Sequence, residues 1–187
     1  TAQNVLGGAG ETGAMDARHE FFHAPGDDDF WSESHYLDVV DDALQVQLRL
    51  GWYPNRDLAS VFSYFTEGET IYAIREAELD PATVHGTTVE TDALRVEFLP
   101  IEVGRDWRVR IEGTARRCDS PAAVLNGEGT PVPVSCEFET LARHEPFLYS
   151  EGADWTGDPG EDRYEVATQV EGEATLGEDG RTVAIEG

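Results

Sequence analysis

The stretch Leu44-Gln45-Val46-Gln47-Leu48-Arg49-Leu50-Gly51-Trp52-Tyr53 decides the fold class, because apolar and polar side chains alternate along it. Successive side chains of an extended strand point to opposite faces, so this period gives one apolar face and one wetted face. The alternation returns in Leu94-Arg95-Val96-Glu97-Phe98 and in Trp107-Arg108-Val109-Arg110-Ile111-Glu112. It returns again in Tyr164-Glu165-Val166-Ala167-Thr168-Gln169-Val170. Half-buried antiparallel strands read this way. Further strands are expected at 58–65, 70–78, 84–90, 135–143 and 182–186.

Turn formers separate these runs: Asp41-Asp42, Pro54-Asn55, Glu67-Gly68-Glu69, Asp80-Pro81, Thr91-Asp92, Gly104, and Gly177 to Gly180. No segment carries a helical apolar stripe of about ten residues. About nine or ten strands on short connections predict an all-β, antiparallel, up-and-down β-barrel, with a β-sandwich as the alternative. Closure removes exposed strand edges, and a barrel of about eight strands or more holds one small ligand. The longest irregular segment is expected from Cys118 to Val134, which carries Pro121, Gly127, Gly129, Pro131 and Pro133. A second long connection runs from His144 to Asp162, with Phe147, Tyr149 and Trp155 expected to pack over a barrel end.

Residues 1–17 read as a flexible leader and 18–187 as one barrel domain. Within the leader, Gly8-Ala9-Gly10-Glu11-Thr12-Gly13 matches a dinucleotide-binding glycine pattern. That motif needs a following helix, and here Pro25 and Asp27-Asp28-Asp29 arrive instead, so no nucleotide site is expected.

The 187 residues include 38 acidic and 13 basic side chains, a net charge of −25, and every basic residue is an arginine. Such a surface repels nucleic-acid phosphates and anionic membranes, which disfavours both as partners. The apolar share of 40% is large enough to build a core and argues against disorder. No apolar run approaches the roughly 18 residues of a membrane span, and no secretory signal pattern opens the chain. The expected compartment is the cytoplasm. Abundant acid without lysine is the composition of a salt-loving organism's intracellular protein, whose self-repulsion molar salt screens; an acidic surface made to meet a basic partner is the alternative. The two cysteines, Cys118 and Cys136, flank one loop; in a reducing compartment free thiols are expected rather than a disulfide.

Chemistry concentrates in Phe30-Trp31-Ser32-Glu33-Ser34-His35-Tyr36 and in Gly51-Trp52-Tyr53-Pro54-Asn55. On a strand Trp31, Glu33 and His35 share one face, and Ser32, Ser34 and Tyr36 the other. A lining of Trp, Tyr, His and one carboxylate suits an apolar ligand fixed by a few polar contacts. Desolvation of Glu33 would equip it as a general acid, whereas a core role would pair it with His35 or the backbone. No metal or other cofactor is expected: His19 and His23 lie near Asp27–Asp29, but a zinc site needs three or four converging ligands.

The motifs Trp31-Ser32-Glu33-Ser34-His35-Tyr36, Asp38 and Gly51-Trp52-Tyr53-Pro54-Asn55 resemble the opening of the hydroxyneurosporene synthase and AttH-like family. Members of that family carry two tandem lipocalin-like barrels and include carotenoid hydratases. The resemblance implies a lipocalin-like barrel here, with 164–187 as the strand pair closing the first barrel. The family's second barrel is not in this sequence: either the sequence is trimmed from a longer protein, or a second barrel domain or another copy of the chain is the implied partner. The resulting expectation is binding of an isoprenoid or other lipid-like small molecule. Trp31, Tyr36, Trp52 and Tyr53 would give apolar contacts, Glu33, His35 and Asn55 would orient the ligand, and Ser34 is a further ligand-binding position. Two alternatives stand beside it. One is a hydratase or isomerase acting on a carbon–carbon double bond with Glu33 as catalytic acid. The other is a structural barrel that works by pairing with a second.

Overall fold

The computed structural model describes residues 17–148 and 164–187. Residues 1–16 of the expected leader, the glycine motif Gly8–Gly13 and most of the 144–162 connection lie outside the described residues. The chain forms β1 (Glu33–Val39), β2 (Gln45–Tyr53), β3 (Leu58–Glu67), β4 (Thr70–Leu79), β5 (Val84–His85), β6 (Thr88–Glu90) and β7 (Leu94–Glu102). There follow β8 (Asp106–Cys118), helix α1 (Pro121–Leu125), β9 (Thr130–Ala142), β10 (Phe147–Leu148), β11 (Tyr164–Glu165), β12 (Thr168–Leu176) and β13 (Arg181–Glu186). The fold is all-β, and its ladders are antiparallel.

Eleven strands make one sheet, while β10 and β11 pair separately. The sheet is not a plain meander, because it branches at β8. At 13 residues β8 is long enough for one of its edges to serve two partners. Its first part pairs with β7, and its end, Arg116 to Cys118, pairs with β4. Its other edge carries β9, then β12 and β13. Among the described residues no continuous ladder closes the sheet. Of its three terminal strands, β1, β5 and β13, two still approach at one corner, where the Glu186 amide of β13 donates to Asp41 Oδ2 just past β1 at 3.0 Å. At the other end of β13, Arg181 pairs with Glu67 on β3.

Two local expectations are corrected. The run 84–90 is two strands, because Gly86 takes φ 64° and turns the chain back between β5 and β6. The Cys118–Val134 segment is mostly ordered: Ser120 caps α1 by accepting from the Ala123 amide, and β9 already begins at Thr130. Pro131 and Pro133 fit inside that strand because β12 ends opposite Val134. The Pro133 carbonyl points to that free side, where it accepts from Gly177, so the missing proline N–H groups cost no ladder bond.

The inward faces meet in one buried cluster that includes Leu48, Val61, Phe65, Val96, Ile111 and Phe138. Side chains of the wall itself therefore occupy its inside. A smaller cluster outside the sheet packs Ala123 and Val124 of α1 on Ala73 and Cys118. Cys118 and Cys136 are both free, buried, and assigned to these different clusters, on opposite faces of the sheet.

Candidate functional site

β1 turns Glu33, His35, Leu37 and Val39 toward the core and leaves Ser34, Tyr36 and Asp38 exposed. Pairing with β2 sets Glu33 opposite Trp52 and His35 opposite Leu50, all on the inward face. Across the fold, His35 meets Phe98 of β7 at 5.2 Å and Trp107 of β8 at 5.4 Å between ring centroids. Strands remote in the sheet thus touch face to face here, so the wall is flattened at this end.

The segment preceding β1 covers the same end. Phe22 lies nearly parallel to two rings at once, His35 (4.9 Å, 24°) and Trp52 (5.3 Å, 12°). Trp31 meets Trp52 edge-on at 5.7 Å. Several polar contacts hold this strap down. The His23 amide donates to Glu33 Oε2 at 2.7 Å, and His23 Nδ1 lies 2.6 Å from Glu33 Oε1. Asn55 Nδ2 donates to the carbonyls of Gly26 and Asp28, each at 2.7 Å. Glu20 is fully buried; it accepts from the Gly104 amide and, at 3.0 Å, from the Tyr164 hydroxyl. Burial, with the Glu20 charge beside it, pushes the Tyr164 phenol well above its ordinary range.

His35 is the chemically unusual member. Burial lowers its pKa from 6.5 to about 4, so the imidazole is neutral near pH 7. Its Nε2 is buried with no hydrogen-bond partner. An unsatisfied buried polar atom costs about 1–3 kcal/mol, and such atoms are uncommon in folded proteins. The atom sits in a box of Phe22, Phe98 and Trp107, and Phe22 is stacked with Trp52 as well.

The residues singled out in the sequence divide between two places. Glu33, His35 and Trp52 gather under the strap, and Trp31, on the strap itself, meets Trp52. Ser34, Tyr36 and Tyr53 belong to the outer face, where Tyr53 folds back over Gly51 so closely that a Cβ there would lie 2.9 Å from its ring. Tyr36 instead borders an outer groove of about 240 Å³ with Gln47, Arg49, Phe62 and Tyr64. Asn55 is committed to the strap carbonyls. Phe22, Glu20, Phe98, Trp107 and Tyr164 complete the site without having been expected there. Phe98 and Trp107 did carry a signal, as inward positions of alternating strands, but only the sheet order shows that they face His35.

Among the described residues, five exposed large apolar side chains, Phe21, Phe30, Ile101, Leu141 and Phe147, lie on the strap or at the strand ends beside it. Among the described residues no three His, Cys, Asp or Glu side chains converge as metal ligands, and no helix is long and apolar enough to cross a membrane.

A family model described as a domain of unknown function, DUF7064, matches residues 16–187. No curated protein and no solved structure matches the chain.

Proposed function

The chain belongs to the DUF7064 family, and we propose that it binds an isoprenoid or other lipid-like small molecule at the strap-covered end. In this reading it is a salt-adapted, lipocalin-like barrel of the cytoplasm, and the first half of a tandem-barrel architecture. A second barrel domain or another copy is its partner. One observation carries the ligand assignment: the uncommitted Nε2 of His35, buried among aromatic rings. Ligand sites combine an apolar lining with a few placed polar groups, and this is the arrangement around His35. The exposed apolar rim supports the same end as the entry side. With the rest of the interior filled by core side chains, the ligand lodges at this end rather than along the barrel axis.

The test is titration with N-phenyl-1-naphthylamine, an uncharged fluorophore that brightens in apolar surroundings, at molar KCl. Saturable brightening that is lost in Trp52→Leu is expected. A response no larger than that of an unrelated acidic protein overturns the reading.

The Glu33–His23 contact at 2.6 Å beside the aromatic box supports a second reading. Here Glu33 protonates one carbon of a carbon–carbon double bond; the cation adds water at the other carbon or loses a neighbouring proton, and the released proton returns to the Glu33 carboxylate. Glu33→Gln separates the two: it abolishes turnover if the chain is an enzyme and barely moves affinity if it is a binder.

A further inference from the structure

The place beside His35 and Trp52 under the strap is already taken by a side chain of the protein. Phe22 lies flat on a platform made by two rings that do not stack on each other in the chain's own ladder: His35 on β1 and Trp52 on β2. An aromatic ring held parallel over two others occupies a slot whose shape favours flat groups. Phe22 satisfies that shape but brings no polar atom, and His35 Nε2 stays without a partner.

Among the described residues, the polar contacts that flank Phe22 lie near the surface. The His23 and Glu33 side chains are 38% and 23% exposed, and Asn55 is exposed as well. These bonds compete readily with water, so they hold the strap more weakly than core packing holds the strands. Glu20, by contrast, is fully buried and anchors the start of the segment between Gly104 and Tyr164. The strap therefore has one firm end at Glu20 and a releasable stretch from Phe22 to Asp28.

We propose that Phe22 is an internal stand-in for the ligand. A flat aromatic or conjugated group bearing a hydroxyl or N–H donor displaces it from the His35–Trp52 platform while Glu20 keeps the strap attached. The inference rests on the ligand-binding reading above and adds to it the ligand's planarity, its donor and a built-in competitor. With the imidazole proton on Nδ1, Nε2 is an acceptor, and the donor gives it the hydrogen bond that Phe22 cannot make. Because only the open form binds, apparent affinity is reduced by the fraction of molecules with the strap released.

The experiment measures N-phenyl-1-naphthylamine binding to the wild type, His23→Ala and Asn55→Ala, with 2-naphthol, naphthalene and decahydro-2-naphthol as competitors. Both substitutions loosen the strap without opening a void beneath it. If each raises the open fraction about tenfold, the apparent Kd falls about tenfold at unchanged maximal brightness. Among the competitors, 2-naphthol is expected to displace the probe best. It shares its hydroxyl with the non-planar decahydro-2-naphthol and its ring system with naphthalene, which has no donor. Equal affinity in all three proteins overturns the stand-in while leaving the binding reading intact. Equal competition by the three compounds overturns the proposed ligand class. Absence of probe binding in every protein overturns the binding reading and this inference with it.

Discussion

Replacing His35 with phenylalanine tests the electrostatics of the site through the pH dependence of stability. In the folded chain burial holds the imidazole pKa at about 4, against 6.5 for an unperturbed histidine. Above pH 6.5 neither the folded nor the unfolded state binds a proton here, and the contribution is constant. Between pH 6.5 and 4 the unfolded chain takes up a proton that the folded chain refuses, so stability falls as pH falls. Below pH 4 both states are protonated and the full loss, about 3 kcal/mol, has been reached. From pH 7.5 to 5 the loss amounts to about 2 kcal/mol. The many carboxylates titrate over part of the same range, but they do so in both proteins and cancel in the difference. Phenylalanine keeps a flat ring against Phe22, Phe98 and Trp107 and removes the unsatisfied nitrogen. Urea unfolding at fixed molar KCl, at pH 7.5 and at pH 5, reads the effect. The variant is expected to gain about 2 kcal/mol on the wild type as pH is lowered. Parallel pH dependences would show that His35 is solvated, and the account of the site would fail.

Other consequences follow from particular residues. Gly172 lies between β9 and β13, and a Cβ there would sit 2.3 Å from the Glu137 carbonyl and 2.4 Å from Phe138 Cβ. Gly172→Ala is expected to cost about 2–3 kcal/mol in urea unfolding, and an unchanged midpoint would mean the strands are not this close. Burial pushes the Cys136 thiol up to about 12 and raises Cys118 as well, so Ellman's reagent at pH 8 should label neither until the chain unfolds. Rapid labelling of native protein contradicts that burial. The outer ion pairs, such as Arg110 with Glu137, are half exposed and contribute little, so the response to salt is governed by the net charge of −25. Raising KCl from about 0.1 M to 1 M shortens the screening length from about 10 to 3 Å and should raise Tm; a flat Tm argues against salt adaptation.

The strands were legible because a period of two is local information. Leu48, Val96, Val109 and Ile111 each declare an inward face from their neighbours alone, and all four are buried. The branch at β8 was not legible, since its partners β4 and β7 are chosen by strand length and sheet coiling rather than by any short motif. Pro131 and Pro133 suggested a loop because a proline's cost depends on which side of the strand lacks a neighbour. The site was half legible. Alternation put Glu33 and His35 on one face and Tyr36 on the other, as the structure has them. Nothing local announced that Phe22 would lie on His35 and Trp52, or that Asn55 would hold backbone carbonyls, because both contacts join segments separated by at least a strand's length. Glu20 gave no signal either; its partners Gly104 and Tyr164 lie 84 and 144 residues away.

The account stands or falls on whether the strap-covered end takes up an apolar molecule. The most direct measurement is mass spectrometry of the organic extract of the chain, purified at molar KCl from an isoprenoid-producing host. A near-stoichiometric isoprenoid or related lipid with a flat conjugated group, retained by the wild type and depleted in Trp52→Leu, is the predicted result. An extract no richer in any lipid than that of an unrelated acidic protein prepared in parallel would contradict it.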